Sequence, residues 1–379
     1  MRFEFATATR ILFGPGTVRD LPGAAAQMGK RALLVTGASA DRAAPLVTGL
    51  DTVPFAVSGE PTVDLIRRGT EFARSESCDF VIAIGGGSAI DAGKALAALL
   101  TNPGDALDYL EVIGRGQPLG RPPAPFLAVP TTAGTGSEVT RNAVLGSPEH
   151  RVKASLRSAS MLPRLAIIDP ELTLTLPQTV TASTGLDALT QLIEPYVSSR
   201  ANSMTDLFCA EGIQRAARAL PAAWENGRDL EARTSMSWAA LLGGLALANA
   251  GLGAVHGFAA PIGGMFPAPH GAICAAVLPH AMKVNIQALR AREPHGRALE
   301  RYGEVARVLT GNANATAEDG AQWVDQLVRH LEIPPLRTYD VRDEDVSVLI
   351  EKAERSSSMK GNPIPLTKDE LREILARSI

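Results

Sequence analysis

Two textures meet near residue 178 of this 379-residue chain, and one kind of layer cannot hold both. Before that point, short apolar or β-branched runs recur at residues 31–36, 53–57, 80–84, 126–129 and 165–168. Helical patterns lie between some of them, at 62–74 and 88–100. Such alternation predicts a parallel sheet with crossover helices. Runs at 142–145 and 152–156 flank a polar piece and predict a hairpin, and Gly14-Pro15-Gly16 predicts an early turn. Beyond Asp169-Pro170, strand-like runs become scarce. Helical patterns take over at 184–197, 204–219, 232–249 and 318–331. A last one at 367–378 begins with Thr367 and Glu370 in capping-box spacing. The expectation is an α/β domain with a parallel sheet over 1–178 and an all-α domain over 179–379.

Bulk properties narrow the function classes. A net charge of -3 with no clustered basic face gives no footing for nucleic acid or an acidic membrane. Cys78, Cys209 and Cys274 are too far apart for a zinc finger or a disulfide framework and read as small buried apolar residues in a reducing compartment. No signal-like stretch opens the chain, so a cytoplasmic location is expected. Residues 234–282 contain no Asp, Glu, Lys or Arg. Interrupted by glycines and prolines, this stretch reads as helices buried on all sides in a soluble core rather than as a membrane span. It still holds His256, His270 and His280, which marks it as the place to look for a site.

The strongest local motif is Ile84-Gly85-Gly86-Gly87-Ser88, after an apolar strand and before a helix. Glycines let a backbone approach a ligand, and the helix start offers free N–H groups and the positive end of its dipole. Ser88 is expected to cap the helix, with Asp91 three residues on. A pyrophosphate fits such a place, although the common G-x-G-x-x-G fingerprint is absent. A second loop, Pro130-Thr131-Thr132-Ala133-Gly134-Thr135-Gly136-Ser137-Glu138, follows the strand at 126–129. It too lies at a strand's C-terminal end, where open α/β sheets bind ligands.

These residues resemble a known family. GGGSAIDAGK at 85–94, PTTAGTGSEVT at 130–140, AIIDPELT at 166–173, GLDALT at 185–190 and Pro269-His270-Gly271 are similar, in order and over most of the chain, to the iron-containing (group III) alcohol dehydrogenases. The resemblance implies the fold shared with dehydroquinate synthases: a dinucleotide-binding α/β domain, an all-helical metal domain and an active site in the cleft between. It implies an NAD(P)-dependent oxidoreductase that interconverts an alcohol and an aldehyde or ketone, with a divalent metal (Fe²⁺ or Zn²⁺) polarising the substrate oxygen. It also implies a homodimer or larger homo-oligomer. By the same resemblance, Gly85, Gly86, Gly87 and Ser88 meet the pyrophosphate, and Thr131, Thr132 and Thr135 line the cofactor. Lys153, otherwise read as a solvated surface charge, reaches the nicotinamide ribose. Members favouring NAD often carry an Asp where this chain has Gly37. Without that carboxylate, and with Ser39 or Arg42 nearby, NADP(H) is expected to be accepted.

The family's metal ligands are one Asp and three His. The Asp corresponds to Asp187, and two His to His256 and His270; these three are the expected catalytic residues. The position four after the Asp shares its helix face but holds Gln191, a harder and weaker donor than imidazole. The expected ligand set is therefore Asp187, Gln191, His256 and His270. A further family His, four residues after the first, is Ala260 here, leaving His280, water or the ribose for any proton relay. These departures keep an alternative in view, a metal-independent reductase resembling maleylacetate reductase. His295, also in a Pro-His-Gly triplet, sits among charges and reads as a surface loop, as do His150 and His330.

Overall fold

The computed structural model describes residues 2–37 and 40–379. The chain forms two compact units, one of Phe5–Thr132 with Gly136–Leu174, the other centred on Thr175–Ile379 and taking in Ala133–Thr135.

In the first unit, β1 (Ile11–Phe13), β2 (Ala32–Thr36), β3 (Thr52–Ala56), β4 (Phe80–Gly85), β5 (Phe126–Pro130) and β8 (Leu165–Ile168) form one sheet in the order β1-β8-β5-β4-β2-β3. Every pairing is parallel. The expected hairpin is present as β6 (Asn142–Ser147) and β7 (Val152–Arg157), an antiparallel pair outside the main sheet. The helices of this unit are α1 (Leu21–Ala25), α2 (Val63–Ser75), α3 (Gly87–Thr101) and α4 (Ala106–Tyr109). Two apolar clusters show that the sheet is covered on both faces. Val81, Ala83, Phe126 and Ala128 join one, whereas Phe80, Ile82, Leu127 and Val129 join the other. That double burial explains why the central strands read as unbroken apolar runs rather than alternating ones. Pro54 is tolerated because β3 is an edge strand.

The second unit contains α5 (Gln178–Val197), α6 (Ser203–Glu225), α7 (Leu230–Ala250), α8 (Ala254–Met265), α9 (His270–Arg292), α10 (Arg297–Thr310), α11 (Ala317–His330), α12 (Val346–Glu354) and α13 (Lys368–Ser378). No strand lies among its described residues. Close helix contact explains two of its glycines: a Cβ at Gly185 would stand 2.2 Å from Leu220 Cδ1, and one at Gly212 would stand 2.4 Å from Leu192 Cδ2. The charge-free stretch becomes most of α7, all of α8 and the first half of α9. Only α9 among the described helices is by itself long and apolar enough to cross a membrane, and 83% of that window is buried inside the protein.

Candidate metal centre and cofactor loops

The sheet's chain order reverses between β2 and β4: β3 lies outward of β2 on one side, and β5 and β8 lie outward of β4 on the other. Such a switch point opens a crevice at the strands' carboxyl ends. The register puts Thr36 beside Ile84 and Gly85 beside Pro130, so Gly37, Gly85–Ser88 and the loop after Pro130 emerge together. A Cβ on Gly85 would lie 2.6 Å from Ala89 Cβ and 3.2 Å from the Gly37 amide nitrogen, so no larger residue fits there. At Gly86 it would lie 3.3 Å from Thr132 Cγ2. Among the described residues, nothing lies within 4 Å of a would-be side chain at Gly37.

The expected helix cap is corrected. The N-cap of α3 is Gly86, in extended conformation, and no side chain caps the helix. Ser88 therefore lies inside the first turn, whose amides face no side-chain competitor. Asp91 is used elsewhere: it accepts from Ser137 Oγ at 2.5 Å and from the Val144 amide at 3.0 Å, and it pairs with Lys94 at 2.9 Å. Lys94 is buried and also donates to Thr140 Oγ1 and to the Asn142 carbonyl. This network pins the polar loop onto α3. Buried next to it, Glu138 is pushed up to about 7 by desolvation, against the pull of Lys94.

Lys153 is not a solvated surface charge. It is buried in β7, and its Nζ lies 2.8 Å from Glu60 Oε1. Thr131 and Thr132 are half-buried beside Gly85 and Gly86, with the Thr131 amide donating to the Gly85 carbonyl at 2.9 Å. Thr135 belongs with the helical unit, as does Gly134, where a Cβ would stand 3.1 Å from the Thr184 carbonyl oxygen. Ser39 lies outside the described residues.

In the helical unit, three helices bring Asp187 (α5), His256 (α8) and His270 (α9) together with Cys274 (α9). One donor atom from each lies within 4.8 Å of all the others. Nε2 of His256 stands 3.4 Å from Asp187 Oδ1, and Nε2 of His270 stands 3.7 Å from it. The approach of α9 depends on Gly271, where a Cβ would lie 2.5 Å from the Ser183 carbonyl oxygen. Ser183 lies one turn before Asp187 on α5, so that contact sets His270 beside Asp187.

Glu194, which sequence reasoning missed, organises the centre. Its Oε2 lies 2.7 Å from His256 Nδ1, and its Oε1 accepts from the Val255 amide at 2.7 Å. It thereby caps α8, which has no side-chain cap of its own, together with Asn362, which accepts from Ala254. A carboxylate on Nδ1 fixes the ring and turns Nε2 toward Asp187 and Cys274. Glu194 follows Asp187 by seven residues on one helix face, so the signal was in the sequence as a buried charge in an apolar run. Cys274 follows His270 by four in the same way; it is buried, as expected, and its Sγ lies 3.7 Å from Nε2 of both His256 and His270.

Electrostatically, this centre favours positive charge. Burial alone would lower His256, but Cys274, Asp187 and Glu194 hold it well above its usual value. His270 is likewise desolvated yet raised, by Cys274 and Asp187. Asp187 is pushed up by burial, but His270, His256 and the Gln191 amide bring it net below its ordinary value. Two buried oxygens of this centre, Asp187 Oδ1 and Gln191 Oε1, have no hydrogen-bond partner. Buried polar atoms are normally satisfied, and a bound cation answers the need here. The donor set thus fits a divalent metal. His280 is not in this group; it faces Asp325, Lys283, Arg329 and Arg377. His295 is exposed, as are His150 and His330.

The sequence profile of the iron-containing alcohol dehydrogenases matches residues 8–170, and that of the family's C-terminal domain matches 181–379. The chain is 39% identical to alcohol dehydrogenase 4 of Schizosaccharomyces pombe, over 84% of this chain and 73% of that protein. It is 34% identical to the 1,3-propanediol dehydrogenase of Citrobacter freundii, over 99% and 98% of the two chains. A crystal structure of a 1,3-propanediol oxidoreductase superposes with a TM-score of 0.91 at 32% identity, covering 100% of both chains. With both halves matched in order and the fold shared along its whole length, the chain belongs to the iron-containing alcohol dehydrogenase family.

Proposed function

We propose that this enzyme, an alcohol dehydrogenase by family, passes hydride between an alcohol carbon and NAD(P), with Asp187, Gln191, His256 and His270 holding a divalent metal, Fe²⁺ or Zn²⁺. The observation that carries the metal site is the orphaned Asp187 Oδ1 facing two Nε2 atoms in a buried centre. A metal bound there acts as a Lewis acid that lowers the alcohol's pKa or polarises the carbonyl.

The chain's own residues do the rest. Glu194 holds the Nδ1 proton of His256 and so keeps its Nε2 lone pair turned inward. Amides of the uncapped first turn at Gly86, Gly87 and Ser88 receive the pyrophosphate, whose charge suits the helix dipole. Thr131, Thr132 and Thr135 line the cofactor, and Lys153, held by Glu60, reaches the nicotinamide ribose. The glycine at position 37 supports acceptance of NADP(H), because no carboxylate there repels a 2′-phosphate. The first domain, 1–178, is the cofactor domain in this reading, and 179–379 the metal and substrate domain. A cytoplasmic homodimer or larger homo-oligomer acting on a small alcohol or carbonyl compound completes it.

Parallel turnover of an aldehyde panel with NADPH and NADH tests the cofactor reading. NADPH efficiency equal to or above that with NADH is expected; efficiency far below it contradicts the role given to Gly37. Gln191 and Ala260 favour one second reading, a metal-independent reductase resembling maleylacetate reductase. Turnover insensitive to chelators selects that reading.

A further inference from the structure

We infer that Cys274 is a ligand of the metal held by Asp187, His256 and His270, taking the place that an amide at Gln191 fills poorly and turning the site toward zinc. The inference rests on the metal reading above, keeps its ion and its donors Asp187, His256 and His270, and replaces only the fourth, Gln191.

Geometry is the first support. Cys274 Sγ lies 3.7 Å from Nε2 of His256 and 3.7 Å from Nε2 of His270. The same two nitrogens lie 3.4 and 3.7 Å from Asp187 Oδ1. A tetrahedral zinc ion with bonds of about 2.3 Å to sulfur and about 2.0–2.1 Å to nitrogen and oxygen separates N from S by roughly 3.5 Å and N from O by roughly 3.3 Å. The protein therefore holds four donor atoms within a few tenths of an ångström of that arrangement at each measured edge.

Chemistry is the second. Cys274 and Asp187 are almost fully buried, and Asp187 Oδ1 has no hydrogen-bond partner. With Gln191 as the fourth donor, a doubly charged ion would meet one formal negative charge in a desolvated place. With a thiolate it meets two in direct contact, besides the buried Glu194 carboxylate on His256 Nδ1. Forming the metal–Sγ bond sends the thiol proton to solvent and changes no oxidation state. A soft thiolate shifts preference from iron toward zinc. Gln191 then serves as the neighbour that steadies Asp187. The contrast with Cys78 is instructive, because that thiol packs in the apolar core of the sheet.

X-ray absorption at the zinc edge of the full-length protein loaded with Zn²⁺ tests this without any mutation. One sulfur neighbour at about 2.3 Å beside nitrogen and oxygen at about 2.0–2.1 Å is expected. In Cys274→Ser that sulfur should vanish and the zinc dissociation constant, measured by chelator competition, should rise at least about tenfold. In Gln191→Ala the sulfur should remain. Zinc bound with no sulfur neighbour, or with a sulfur that persists in Cys274→Ser, overturns the thiolate ligand and leaves the metal reading standing. A protein that takes up no zinc overturns the thiolate ligand, and one that takes up neither zinc nor iron overturns the metal reading as well.

Discussion

The proposed cofactor loops and the candidate metal centre are built from opposite materials. The loops follow the ends of three adjacent strands and present mostly backbone: Gly85 is fixed by close packing, and the first-turn amides of α3 are left free. The metal centre presents only side chains, delivered by α5, α8 and α9 from positions up to 87 residues apart in sequence (Asp187 to Cys274). A backbone site fails when something intrudes or when its supports are removed. A side-chain site fails when one donor or its holder changes. Substitutions in the two regions should therefore separate cofactor affinity from metal affinity.

The largest effect should come from removing the support of the loops. Lys94→Met strips the buried partner of Asp91 and should destabilise the sheet unit by about 3–5 kcal/mol, measured by denaturant unfolding. Protein that still folds should keep its metal content; a parallel loss of metal would break the comparison. Next is a pH effect from Glu138. Its carboxyl holds a proton more tightly when folded, up to about 7 against an ordinary 4.5. Its contribution is fully present below about pH 4.5 and is lost as pH rises through about 7, a change of about 3 kcal/mol in stability. Glu138→Gln should flatten that slope, and an unchanged pH profile of unfolding would contradict the assignment.

In the other region, Glu194→Gln leaves a weaker acceptor on His256 Nδ1 and on the α8 amide. Metal affinity should drop about 10–100-fold with the cofactor KM unchanged, by chelator competition and steady-state kinetics. The smallest effect expected is that of Gly86→Ala, whose methyl group would press on Thr132 at the proposed pyrophosphate site. The cofactor KM should rise about tenfold, some 1.4 kcal/mol, with metal content intact. An unchanged KM would move the pyrophosphate elsewhere.

What the sequence made legible follows the same division. Contiguous motifs carried the sheet, the hairpin and both loops, because each is a local sequence of strand, turn and helix. The strand β1 escaped, since three residues are too few to show a period, and its pairing with β8 is set by tertiary contact. Ser88 misled because a side-chain cap is the usual solution, whereas Gly86 in extended conformation fills that place. Asp187, His256 and His270 were readable through resemblance, and their convergence depends on helix packing at Gly271 that no local pattern encodes. Glu194 and Cys274 lay at helical spacing from Asp187 and His270, yet their significance appears only once α8 and α9 meet α5.

The central claim is that the buried centre around Asp187 carries a metal on which turnover depends. Elemental analysis of protein purified without added metal, paired with aldehyde turnover before and after chelation, tests it most directly. About one equivalent of zinc or iron per chain is expected on a single four-donor site, with turnover abolished by the chelator and restored by adding the ion back. Full turnover by protein stripped of metal would contradict it.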